Sequence, residues 1–186
     1  MTTSSFPTFK YNFRAPGSQV EGPIQYAIGK TVLGRVLIGR SRHGVCAIFL
    51  GDDEHALQKQ VTDAFPGIEM IESQSELHRE LSQVVSFVDK DAADGIIDLD
   101  IGGSPFQQKV WQMLCGIPAG QTRSYREVAE HLGVPEAVRA VAGACAANVL
   151  AIAIPCHRVV RSDGSISGYR WGVERKRALL AEEAEQ

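Results

Sequence analysis

A chain of 186 residues with ordinary hydrophobic (44%) and charged (22%) fractions has room for one large domain or two small ones, with a real core. It has no apolar run near the roughly 20 residues of a membrane helix, and its start, MTTSSFPTFKYNFR, lacks the apolar stretch of a signal peptide. A cytoplasmic location with no membrane partner is therefore expected. The net charge of −3 speaks against a nucleic-acid partner, but residues 1–100 carry 9 basic against 14 acidic side chains and residues 101–186 carry 10 against 8. Any such contact belongs to the second half.

Residues 1–14 read as a lead-in. Strand-forming stretches follow at IQYAIGK (24–30), TVLGRVLIG (31–39) and VCAIFLG (45–51), with a turn at SRHG (41–44). Val36 and Ile38 alternate with Arg35 and Leu37, an imperfect period-two pattern. Asp52 or Asp53 is placed to cap a helix that stops at Pro66-Gly67, and Ile68 to Ile71 reads as a short strand. Ser75 then opens a second helix with Leu77, Leu81, Val84, Val85 and Val88 on one face. The polar, turn-rich DKDAADG (89–95) is the best linker candidate, which divides the chain into an α/β domain over 1–95 and a second domain over 96–186.

The second domain reads as mainly α. Ser104-Pro105 is an N-cap followed by proline at the first helical position, and Phe106, Val110, Met113 and Leu114 recur at helical spacing up to Ile117-Pro118-Ala119-Gly120. Ser124 and Glu127 form a capping box for a helix that ends at Gly133, and Val134-Pro135 starts another that runs to about Asn148. Two short helices joined by a glycine-containing turn make a helix-turn-helix candidate, although an αα-hairpin with no nucleic-acid role is the commoner outcome. On the second of them Ala140, Ala144 and Ala147 share a face with Gly143, while Val138, Val141 and Cys145 lie on another that would serve as the core side. A face of small residues admits close approach of another helix or of a duplex. A minor groove about 6 Å wide accepts a helix only if the helix is trimmed and the groove opens. Arg139 sits beside this face, where it could insert into a base stack.

The four cysteines, Cys46, Cys115, Cys145 and Cys156, form no CxxC pair, and His43 with Cys46 has no completing ligands nearby, so no metal site is expected and the thiols should be reduced. The chemistry concentrates in LAIAIPCHRVV (150–160), an apolar, strand-like run up to Pro155 that then presents Cys156, His157 and Arg158. A cysteine in an apolar run is by default inert core, because burial raises its pKa. Against that default, Pro155 fixes the backbone before it, and an apolar strand would not carry His157 and Arg158 without partners for them. In extended backbone the Cys156 and His157 side chains point to opposite faces, so they would need a water bridge or a kink to cooperate. That disfavours a cysteine hydrolase and leaves other thiolate chemistry open.

Over SPFQQKVWQMLCGIPAGQTRSYREVAEHLG, AVRAVAGACAAN and AIAIPCHRVVRSDGSISGYRWGVERKRALLAEE, and more weakly over GRVLIGRSRHGVCAIFLGDD, the chain resembles the O6-alkylguanine-DNA alkyltransferase family. It is especially similar to the alkyltransferase half of the bacterial adaptive-response proteins. The zinc-bound N-terminal module of those proteins has no room here, so phosphotriester repair and transcriptional activation are expected to be absent. The resemblance implies a ribonuclease H-like α/β domain with a three-stranded antiparallel sheet, then a winged-helix-like, mainly α domain. It implies that Cys156 accepts an alkyl group from O6-alkylguanine, and from O4-alkylthymine, in double-stranded DNA. His157 would take the thiol proton through a water, Glu183 would orient the histidine, Asn148 would brace the turn and Tyr125 would donate to the base ring. Arg139, Ala140, Gly143, Ala144, Ala147, Thr122 and Ser124 would contact DNA in the minor groove. Val159, Tyr169, Arg170 and Trp171 would line the base pocket, with Trp171 at its edge. A buried guanine oxygen requires the base to be flipped out of the stack at a few kcal/mol. The thioether product is not cleaved by water, so a monomer that acts once, with no cofactor, is expected. The rival from another class is an alkyltransferase-like protein that binds damage without transfer; such proteins lack the acceptor cysteine.

Overall fold

The computed structural model describes residues 7–185, which divide into a unit ending at Gly102 and a second beginning at Gly103. The first unit is built on a sheet of six strands: β1 (Thr8–Phe13), β2 (Ile24–Thr31), β3 (Gly34–Arg40), β4 (Val45–Gly51), β5 (Met70–Glu72) and β6 (Ile96–Ile101), in the order β1-β6-β4-β3-β2-β5. The expected antiparallel trio is its centre, β2-β3-β4, joined by two tight turns. The sheet is nevertheless mixed, because β1 pairs with β6, β6 with β4 and β5 with β2 in parallel. Two sequence expectations change as a result. Part of the lead-in, Thr8–Phe13, is an edge strand held by a partner 88 residues away, Ile96 opposite Thr8; residues 1–6 lie outside the described residues. The division falls after Gly102 and not at 95, since the residues after the polar linker return to the first sheet as β6.

All six residues Val45–Leu50 are buried, so both faces of β4 are covered. Val36 to Gly39 of β3 are buried in the same way, which accounts for the imperfect alternation there. Helix α1 (Glu54–Ala64) is capped by Asp53, whose carboxylate accepts from Ala56 N at 2.9 Å, and packs on β3 and β4. Helix α2 (His78–Asp89) packs on β2. It begins three residues after Ser75, and the expected core position Leu77 is buried in the turn before it. The short strand β5 likewise starts two residues later than expected. Among the described residues of this unit Asp100 is a buried charge: it accepts from Arg14 Nη1 at 2.8 Å and from the Ser41 hydroxyl, which satisfies a carboxylate that is 2% exposed.

The second unit has α3 (Pro105–Cys115), α4 (Tyr125–His131), α5 (Val138–Ala146) and α6 (Val173–Ala184), with a small parallel pair β7 (Arg123–Ser124) and β8 (Val159–Val160). Both caps read from the sequence are present, and each is a full capping box. Gln107 N donates to Ser104 Oγ (3.1 Å) and Ser104 N to Gln107 Oε1 (3.0 Å). Glu127 N donates to Ser124 Oγ (3.0 Å) and Ser124 N to Glu127 Oε1 (3.2 Å). Helix α5 starts at Val138 and not at Pro135; residues 134–137 close a turn in which Ala137 N donates to Val134 O at 2.8 Å. The Trp111 indole of α3 donates to Ala144 O of α5 at 2.9 Å, fixing one helix on the other. Among the described residues no helix is long and apolar enough to cross a membrane.

Two glycines test this description. Both Gly44 and Gly67 have positive φ (+152° and +78°), but a Cβ on Gly44 would meet the backbone oxygen of Asp98 at 2.6 Å, whereas one on Gly67 meets nothing within 4 Å. Gly67→Ala should cost about 1 kcal/mol, the ordinary left-handed penalty. Gly44→Ala should cost about 3 kcal/mol, because backbone cannot move aside. Urea unfolding of the two variants side by side checks the difference.

Candidate active site

Residues 149–155 are apolar yet do not form the strand expected of them. They run as tight turns in which Ala153 N donates to Ala151 O (2.7 Å) and Ile154 N to Leu150 O (3.1 Å), with Ile152 at φ +69°. A β-branched residue enters that region only when its surroundings impose it. Here the constraint is Asn148, fully buried just past α5. Its Nδ2 donates to Ile154 O (3.0 Å) and Leu150 O (3.3 Å), and its Oδ1 accepts from Leu150 N (2.8 Å). One amide thus supplies partners that a strand would take from a neighbour. The same Nδ2 donates to Cys156 Sγ at 3.3 Å.

Cys156, His157 and Arg158 form a single 3-10 turn, so the extended backbone assumed from sequence is replaced by a kink. His157 is fully buried, with Nε2 2.8 Å from Glu183 Oε1 on α6. Arg158 reaches the same carboxylate, with Nη2 donating to Oε1 (2.8 Å) and Nε to Oε2 (3.1 Å), while its Nη1 donates to Ile117 O (2.7 Å). Burial pushes the Glu183 carboxyl up, but the hydrogen bonds and charges of His157 and Arg158 prevail and hold it down at about 2. It is therefore an anion, which places the ring proton of a neutral His157 on Nε2 and the lone pair on Nδ1.

A cavity of about 510 Å³ opens beside the turn, walled by Tyr125, Cys145, Cys156, Ser167, Tyr169 and Arg170, with Ala142 and Ala146 of α5 at its edge. Two thiols share it, and they differ. Burial pushes Cys145 up to about 12, with the nearness of Cys156 adding to the rise. Burial raises Cys156 also, but the Asn148 amide, Lys176, its own backbone N–H and Arg170 bring it to about 11. The Asn148 amide thus favours the Cys156 thiolate and gives no such help to Cys145, although burial keeps Cys156 mainly protonated at pH 7. The Tyr169 hydroxyl is buried without a hydrogen-bond partner among the described residues, and burial holds its pKa well above the ordinary phenol value.

The other expected site residues divide. On α5, Arg139, Ala140 and Gly143 are exposed and Ala147 is half-buried, but Ala144 is 2% exposed and turned toward Trp111. The exposed stripe is instead Arg139, Ala142, Gly143 and Ala146, with Ala140 beside it. Helical spacing alone did not say which side faced α3. Thr122 is exposed, whereas Ser124 is buried and its hydroxyl is used in the capping box. Trp171, expected at the pocket edge, is not on the wall of the cavity: it is 3% exposed and packs edge-on against Tyr169, ring centroids 5.2 Å apart. Val159 is also behind the wall, its carbonyl accepting from Lys176. The sequence reading missed Lys176, fully buried, and Ser167, whose hydroxyl meets that of Tyr125. Nothing in the spacing of SGYRWGVERKR marks this lysine as internal among its charged neighbours.

Among the described residues no group of three or more His, Cys, Asp or Glu could hold a metal ion. A larger cavity of about 600 Å³ in the first unit is bordered by Arg40, Arg42 and His43, which pair with Glu80 and Glu21, and no cysteine lines it.

Residues 105–185 match the family model described as the 6-O-methylguanine DNA methyltransferase DNA binding domain. The chain is 48% identical over 162 residues to the bifunctional transcriptional activator/DNA repair enzyme Ada of Escherichia coli, covering 87% of this chain and 46% of that protein. It is 34% identical over 155 residues to the inducible methylated-DNA–protein-cysteine methyltransferase of Bacillus subtilis, covering 83% of this chain and 82% of that one. The chain therefore spans about half the length of the Ada relatives and most of the shorter relative. Among solved structures it resembles Mycobacterium tuberculosis OGT in complex with DNA, with TM-score 0.72 and 29% identity over 87% of this chain and 93% of that one.

Glu183 offers a test of stability. Its folded pKa lies below its unfolded value of 4.5, so its contribution is present above pH 4.5 and is lost as pH falls toward about 2. Glu183→Gln leaves Arg158 without its anion and should cost about 3–5 kcal/mol at pH 7. In urea unfolding at pH 7, 4 and 2.5, the gap between the two proteins should narrow steadily. A gap that stays constant would show that the carboxylate is not charged in the fold.

Proposed function

The chain belongs to the methylated-DNA–protein-cysteine methyltransferase family, and on that premise we propose that it repairs alkylated duplex DNA by direct transfer of the alkyl group to Cys156, once per molecule. The observation that carries this reading is one arrangement. The Cys156 sulfur sits on the wall of a cavity, receives the Asn148 amide at 3.3 Å and adjoins a histidine held by a buried carboxylate at 2.8 Å. The substrate proposed is O6-alkylguanine, with O4-alkylthymine as a second. The fold supports finer assignments too: a ribonuclease H-like first unit, from its mixed sheet with an antiparallel centre, and a winged-helix-like second unit, from α4, α5 and the pair β7-β8. The protein is proposed to act as a cytoplasmic monomer.

In the proposed reaction the duplex meets the exposed small face of α5, and the damaged base is turned into the cavity. Arg139, exposed on that face, fills the gap in the stack. The thiol proton passes through a water to Nδ1 of His157, and the charge of Glu183 stabilises the imidazolium. A protonated resting thiol makes this step a requirement, since the free thiolate is scarce. The sulfur attacks the alkyl carbon, the carbon–oxygen bond breaks and its electron pair leaves with guanine. Tyr125 donates to the base ring, and the proton lost by the thiol is balanced by one gained by the base. The thioether carries no leaving group that water or a neighbour could expel, so the protein is spent.

Titration of O6-methylguanine duplex against the protein, read by intact mass and peptide mapping, should stop at one added methyl on Cys156. Cys156→Ser should bind the duplex and accept nothing. Methyl on Cys145, or turnover beyond one equivalent, would falsify this assignment, and binding without any mass gain would identify a damage-binding protein.

The arginine is tested separately. Arg139→Ala should slow transfer from duplex by tenfold or more while leaving transfer from free O6-alkylguanine unchanged, because flipping costs a few kcal/mol only when there is a stack to leave. Equal losses on both substrates would make Arg139 merely structural.

A further inference from the structure

The second unit buries a lysine that the proposed transfer does not use. Lys176 of α6 is fully buried, and its Nζ donates to Val159 O (2.7 Å), Ser167 Oγ (3.1 Å) and Gly168 O (3.4 Å). Three donors and three acceptors leave no ammonium proton over. An ion buried this deeply costs several kcal/mol, and an apolar side chain would fill the space without that penalty. One of its three acceptors leads back to the cavity: Ser167 Oγ lies 2.5 Å from the Tyr125 hydroxyl, and both residues are on the cavity wall.

Either hydroxyl of that short contact can donate to the other, and the Lys176 charge biases the choice. A serine hydroxyl has one proton and two lone pairs. Lys176 occupies one lone pair, and a cation on the oxygen makes the hydroxyl a stronger donor and a weaker acceptor. That charge favours the arrangement in which the Ser167 proton runs to the Tyr125 oxygen and leaves the Tyr125 proton to point elsewhere. We propose that Ser167, polarised by Lys176, is a positioning residue that turns the Tyr125 proton into the cavity toward the departing base. This rests on the function proposed above. A further observation agrees with it: the Lys176 ammonium lies 5.9 Å from the centroid of the Tyr125 ring, where its charge favours electron density building on the phenol oxygen.

The test separates departure of the base from reactivity of the thiol. Methyl iodide methylates Cys156 with iodide as leaving group, which needs no proton, whereas guanine needs one. Ser167→Ala should slow single-turnover transfer from O6-methylguanine duplex about tenfold, the rate equivalent of one hydrogen bond, and leave methylation by methyl iodide within about twofold of wild type. Ser167→Thr, which keeps the hydroxyl, should restore the duplex rate. In a Tyr125→Phe background Ser167→Ala should have no further effect. Equal slowing with both methyl donors, an unchanged duplex rate, or a full additional loss beside Tyr125→Phe would overturn the inference while leaving the proposed function standing. A wild-type protein that takes methyl from methyl iodide but never from the duplex would overturn both.

Discussion

An anion with 2% exposure has to be met by partners, and Glu183 is met by two residues of the 3-10 turn, one of them anchored on a third segment. It sits on α6, receives His157 and Arg158 from the 3-10 turn, and through Arg158 is tied to the carbonyl of Ile117 beyond α3. The position of the histidine ring, the path of the turn and the seating of the last helix are therefore one constraint. A hydrophobic trio of the same volume would serve stability as well or better. What it could not do is fix which nitrogen of His157 carries the proton, and on the proposed reading the thiol needs that.

The cysteine itself is under opposing demands. Burial shields it and pushes it toward the neutral form, while the Asn148 amide and the Lys176 charge pull the other way without prevailing. A thiol poised like this reacts only slowly with stray electrophiles in water, because it is rarely ionised. It becomes a nucleophile where a base and a positioned carbon are present together. The same balance distinguishes it from Cys145, which shares the cavity but lacks the amide donor.

Much of the local structure was legible, and for physical reasons. The caps at Ser104 and Ser124 and the helix stop at Pro66-Gly67 are decided by residues within one turn of each other, so a sequence shows them directly. The antiparallel hairpins are nearly as local. What was hidden depended on distant partners. Thr8–Phe13 is a strand only because Ile96–Ile101 returns to it. The apolar run before Cys156 is a set of turns only because Asn148 satisfies its backbone. At the site, the grouping of Cys156, His157 and Glu183 followed from the resemblance, and the geometry supports it, but the partners of Arg158 did not show. Ala144 and Trp171 are buried where exposed positions were expected, because a helical face or an aromatic does not say which neighbour it meets. Lys176 and Ser167 were invisible, since a lysine beside arginines reads as surface until the chain folds around it.

The outer stripe of α5 consists of Arg139, Ala142, Gly143 and Ala146, with Ala140 alongside. The methyl groups of its alanines carry no hydrogen-bond donors or acceptors, and the N–H and C=O groups of the helix are largely paired within it, so apart from Arg139 the stripe has little with which to tell one base edge from another. If this stripe meets a duplex as proposed, it can judge only shape and the ease with which a base leaves the stack. A damaged guanine pairs poorly, and that weakness is the same in every neighbourhood. Such a surface is illiterate in sequence, and its illiteracy lets it serve a whole genome rather than an address.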